Sequence, residues 1–97
     1  ERLQRDLGEN DALILRNHGL LTCGRTIPEA FQLMFRLEKS CQAQVDAMST
    51  GAELQHVPRE VAEYTRDLML SRGGRSGNMG WPGHLRRLDR MDESYKH

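Results

Sequence analysis

Ninety-seven residues, 37% hydrophobic and 29% charged, suffice for one small domain and leave no room for a separate substrate domain. Fourteen basic and fourteen acidic side chains cancel, which excludes a global field steering the chain to nucleic acid or an anionic membrane. There is no apolar run of membrane-spanning length, and Cys23 and Cys41 are too far apart for a CxxC unit; a soluble cytoplasmic protein in a reducing compartment is expected.

The chain opens on Glu1, already inside a charged, helix-like stretch, and this opening predicts further polypeptide upstream. Leu3 and Leu7, four apart, suit the tail of a surface helix ending near Gly8, and Glu9-Asn10-Asp11 reads as a turn. Ala12–Leu15 is a continuous apolar run, the pattern of a strand covered on both faces. Leu20–Cys23 is a second short strand, closed by Gly24-Arg25. Between the two, Asn17 and Gly19 both tolerate positive φ, so a sharp reversal is expected at Asn17-His18-Gly19.

A long helix follows. Thr26-Ile27-Pro28-Glu29 has the form of a capping box, with Pro28 in the first turn where a missing amide proton costs little. Ile27, Phe31, Met34, Cys41, Val45 and Met48 form an apolar stripe, interrupted by Glu38 and broadened by Leu33 and Leu37. Gly51 stands where a C′ residue belongs. Burying such side chains at about 1.5–3 kcal/mol each makes this helix the main local source of stability.

A second helix is expected from Pro58 to about Arg72, with Val61, Tyr64 and Leu68 on one face. Gly73–Gly80 reads as a Gly-rich internal linker, because it follows a helix and lacks the spacing of a phosphate-binding loop. Trp81 to about Met91 forms a third helix, Trp81, Leu85 and Leu88 inward and Arg86, Arg87 and Arg90 outward, before a polar tail from Asp92 to His97. Two short strands at a tight corner are marginal alone, and three helices cover more sheet than they provide. The expected fold is therefore α/β: a fragment with two short strands and three helices, completed by strands encoded upstream.

Ala12–Leu21 with its Arg16-Asn17-His18-Gly19 corner, then Gly24, Pro28-Glu29-Ala30-Phe31, Leu37-Glu38 and Cys41-Gln42-Ala43-Gln44, closely resembles the C-terminal half of the class II aldolase/adducin domain. The Leu15–Gly19 wording and the segment Trp81–Arg90 look most like its adducin-like bacterial subgroup. The resemblance implies that residues 1–97 are the C-terminal part of a single domain with a three-layer α/β/α fold, assembled as a homotetramer. It implies a divalent metal, commonly Zn2+, held by three histidines, two from an upstream His-x-His and the third matched by His18. The implied chemistry is retro-aldol cleavage or related enediolate reactions of a small hydroxy-carbonyl or sugar-phosphate substrate, with an upstream glutamate as acid/base group. Neither that glutamate nor the His-x-His occurs in these residues.

His18 is thus the one metal-ligand candidate; the bland alternative is a corner imidazole that merely hydrogen-bonds a carbonyl. Three protein ligands leave a metal position open to substrate, and a histidine at a strand end is held rigidly. Glu38 suits a buried pair with an arginine such as Arg16, a subunit contact, or a partly exposed carboxylate at the stripe's edge. Cys23 and Cys41 are expected in the core. His56, His84 and His97 fall in loop, helix surface and tail, without a ligand spacing, and the arginines at 86, 87 and 90 read as a solvated face ahead of a contact to a phosphate or a neighbouring subunit. C-terminal tails in the family reach an adjacent active site, which brings Tyr95 into view. Two functions follow from the resemblance: a metal-dependent aldolase-type lyase, and a non-catalytic adducin-like assembly or interaction module. No nucleic-acid or membrane partner is expected.

Overall fold

Glycine, proline and asparagine punctuate the chain where its elements begin and end. The computed structural model describes residues 2–97, with the side chains of 72–78 left outside the description. Helix α1 (Arg2–Leu7) ends at Gly8, and the chain turns into strand β1 (Ala12–Leu15), the corner, and strand β2 (Gly19–Thr22). The strands pair antiparallel, with Ala12 opposite Thr22, Leu13 opposite Leu21, Ile14 opposite Leu20 and Leu15 opposite Gly19. Helix α2 (Ile27–Ser49) and helix α3 (Arg59–Met91) follow, and a short 3-10 turn, Ser94–Lys96, ends the chain. The result is a two-stranded antiparallel sheet with helices, an α/β arrangement as expected.

Helix α2 starts and stops where its residues direct. Thr26 is extended at φ −134° and its Oγ1 accepts the Glu29 amide at 3.2 Å, satisfying one of the first-turn donors. At the other end the Thr50 hydroxyl donates to the Ala47 carbonyl at 2.8 Å, and Gly51 follows with φ +74°. The expected helix and its C′ glycine are both present.

Two expected helices, from Pro58 and from Trp81, are one element, α3, which carries Pro82 in its interior. Most of the linker expected at 73–80 falls on 72–78 and so lies outside the described residues; Met79 and Gly80 are helical. Glycine and proline disfavour helix by about 1 and 3 kcal/mol per residue, which is why the sequence predicts a break. Beyond that stretch, ring contacts with α2 hold the helix in place. Phe31 lies edge-on to Trp81 at 5.6 Å and to His84 at 4.8 Å, and Phe35 lies 5.9 Å from His84. These pairs, with Gly80 beside Gln32, pack the Gly80–His84 part of α3 against the Phe31–Phe35 part of α2.

The core expected along α2 is only begun. Leu33, Met34, Leu37 and Cys41 are half-buried, whereas Ile27 is 75% exposed and Val45 and Met48 face solvent. In β1, expected to be covered on both faces, Ile14 is 72% exposed, so the face it points to is left uncovered by the described residues. No described side chain is fully buried. The accessible surface is 8730 Å2, against about 5,700 Å2 for a compact monomer of 11.1 kDa. The radius of gyration, 16.1 Å, exceeds the about 12.5 Å of a globule of this length.

Candidate functional site

The corner is built by backbone chemistry. The His18 amide donates to the Leu15 carbonyl at 3.2 Å, closing a four-residue turn whose third residue, Asn17, has φ +61°. That position takes glycine or asparagine because other side chains clash there. Gly19 follows at φ +138° with nothing within 4 Å of where a Cβ would stand. Conformation, and not lack of space, therefore calls for glycine at the start of β2.

His18 sits exposed at the hairpin tip. Its Nδ1 lies 3.1 Å from the Asn17 carbonyl oxygen. A carbonyl can only accept, so in a neutral ring that makes this bond Nδ1 is the donor and Nε2 keeps its lone pair. This is the tautomer a metal-ligating imidazole adopts when its second nitrogen donates to a backbone acceptor. The bond in the bland reading and the geometry needed for ligation are thus the same bond. The donor chemistry of His18 fits one ligand of a cation. Among the described residues no three His, Cys, Asp or Glu side chains gather around a common point, so they supply no complete site.

The other end of the hairpin is packed closely. Thr22 Oγ1 donates to the Ala30 carbonyl in α2 at 2.9 Å, a partly buried bond joining β2 to the helix. A Cβ on Gly24 would lie 2.7 Å from the Ala30 nitrogen, so only glycine lets the chain pass that close to α2. A cavity of about 560 Å3 opens beside this base, walled by Asp11, Cys23, Arg25, Glu29, Arg36 and Met69. His18 is not among its walls, and its mixed charges single out no ligand.

The remaining candidates are dispersed. Glu38 and Arg16 are both exposed, so the two do not form a buried pair within this chain. Cys23, expected in the core, is exposed, because β2 ends at Thr22 and the chain leaves the sheet there; Cys41 is half-buried. His56 and His97 are exposed as expected, but His84 lies half-buried against Phe31 and Phe35. Its position three residues after Trp81, on the same helical face, is the signal that locates it. Arg86, Arg87 and Arg90 are exposed, as expected of an outward face. Tyr95, 46% exposed, donates its hydroxyl to Asp89 Oδ1 at 2.5 Å, and Lys96 Nζ lies 2.9 Å from the same oxygen. No helix among the described residues is long and apolar enough to cross a membrane.

Comparison with known proteins agrees with this hairpin-and-helix unit. Residues 1–45 match the family described as "Class II Aldolase and Adducin N-terminal domain". Over 98% of the chain, 46% of residues are identical to a protein of Pseudomonas aeruginosa, and 41% to one of Caulobacter vibrioides, both named "Putative aldolase class 2 protein". Human gamma-adducin is 30% identical over 99% of the chain, which spans 16% of that protein. The chain spans 38% and 37% of the length of the two bacterial relatives. No solved structure gives a significant match. The hairpin, its corner and the start of α2 are, on this likeness, a segment of a class II aldolase/adducin family domain, and the chain belongs to that family.

Proposed function

We propose that this chain is the C-terminal part of a metal-dependent lyase of class II aldolase type, with His18 as one ligand of a divalent cation, Zn2+ by preference. The observation carrying this reading is the contact at the tip: Nδ1 lies 3.1 Å from the Asn17 carbonyl oxygen, which leaves Nε2 as the ring nitrogen facing outward at an exposed, backbone-defined corner. Such a cation polarises the carbonyl and hydroxyl oxygens of a small hydroxy-carbonyl or sugar-phosphate substrate when bound. The part played by these residues is narrower. Asn17 sets the turn and offers its carbonyl to Nδ1, Gly19 lets the strand restart, and β1 and β2 carry the imidazole on a paired ribbon. Further ligands and the acid/base group come from polypeptide beyond these residues, assembled as a homotetramer in the cytoplasm.

Metal analysis of the complete protein tests the reading. The parent is expected to hold one zinc per protomer, and His18→Ala to lose it with its retro-aldol activity. Equal zinc in both proteins refutes ligation by His18. A second reading, a non-catalytic adducin-like assembly module, draws on the gamma-adducin likeness, which runs through α3 as well as the hairpin. A complete protein that binds no metal and turns over no hydroxy-carbonyl substrate, yet assembles, supports that reading instead.

A further inference from the structure

The corner that presents His18 is only as well placed as the hairpin beneath it. Thr22 stands at the base of β2, opposite Ala12, and its hydroxyl donates to the Ala30 carbonyl across the gap to α2. The neighbouring bond from the Cys23 amide to the Asp11 carbonyl, at 2.8 Å, ties the flanking strands to each other and not to the helix. Four residues separate Thr22 from His18, about 13 Å of extended chain at roughly 3.3 Å per residue. A tilt of about 5° at the base therefore swings the imidazole by about 1.1 Å, while productive site geometry tolerates about 0.5 Å.

We infer that Thr22 is a positioning residue for His18: its hydroxyl pins the hairpin to α2 and so sets where the imidazole is held. The inference rests on the reading of His18 as a metal ligand. Gly24 supports the same anchor from the other side, since its lack of a Cβ lets α2 come within reach of the hydroxyl. Thr22 touches neither metal nor substrate, and its effect passes through strand orientation alone.

The test uses Thr22→Val, which keeps the shape and removes the donor, and Thr22→Ser, which restores the donor, both in the complete protein. Zinc affinity is measured by competition with a chelating dye, and hydrogen exchange of the β2 amides is followed in the metal-free protein. Thr22→Val is expected to weaken zinc binding about tenfold, as loss of an outer support does, and to speed exchange of the β2 amides. Thr22→Ser is expected to recover both. Unchanged affinity in Thr22→Val, or equal loss in Thr22→Ser, overturns the inference. If the parent takes up no zinc, the metal reading falls by itself, and exchange then decides the anchor. Faster exchange that serine restores upholds it; unchanged exchange overturns it.

Discussion

Gly24 shows how one missing methyl group organises its surroundings. With the Ala30 nitrogen 2.7 Å from where a Cβ would stand, Gly24→Ala must move backbone and not a flexible side chain. We expect it to destabilise the complete protein by about 1–3 kcal/mol, read as a lower urea midpoint at unchanged slope. Asn17 behaves differently, because its φ of +61° is a demand on conformation. Asn17→Gly should leave the melting temperature nearly unchanged. Asn17→Val, forcing a β-branched residue into the left-handed region, should lower it clearly.

The contact between α2 and α3 is an aromatic one, and it decides whether the C-terminal half docks at all. Phe31 meets both Trp81 and His84 while remaining 40% exposed, so its truncation costs less than a fully buried phenylalanine. Phe31→Ala is expected to cost about 2 kcal/mol, visible as a shift in the emission of Trp81, the single tryptophan of the chain. The terminal turn is held by polar groups instead. The Tyr95 hydroxyl, followed by Lys96, holds the Asp89 carboxyl below its ordinary value, and the Asp89 carboxylate pushes Tyr95 and Lys96 up. Asp89's share of tail docking is present above about pH 4 and lost as pH falls through its lowered folded value. The shares of Tyr95 and Lys96 are full below about pH 10 and lost as pH rises through their raised ones. The Tyr95 ring resonances should therefore show a docked tail across the neutral range, released at both extremes. Asp89→Asn should weaken docking at neutral pH and remove Asp89's share of the acid transition, leaving that of Asp92, whose carboxyl is held low by Ser94.

Across the molecule, surface is the governing quantity. About 3,000 Å2 more is exposed than a compact chain of this mass shows, and Ile14, Ile27, Val45 and Met48 contribute to it. An area of this size equals that of an obligate interface, so these faces need cover before the chain has a cooperative core. The 97 residues alone are expected to self-associate in sedimentation and to melt without a sharp calorimetric peak. A monomeric species with a cooperative transition would show that the helices and hairpin suffice.

Local chemistry was legible in the residues themselves. The Asn17-His18-Gly19 corner, the Thr26 cap, the Gly51 stop and both strands follow from preferences that act over a few neighbours, and the structure contains each of them. Sequence also picked out His18, although its bond to the Asn17 carbonyl appears only in three dimensions. Tertiary structure alone decided that the segments from Pro58 and Trp81 form one helix, that His84 packs between two phenylalanines, and that Tyr95 folds back on Asp89. The His84 contact joins residues about fifty positions apart, while the helix carries Pro82 and the Tyr95 bond reaches back past the end of α3, and no residue preference acting over a few neighbours encodes any of the three.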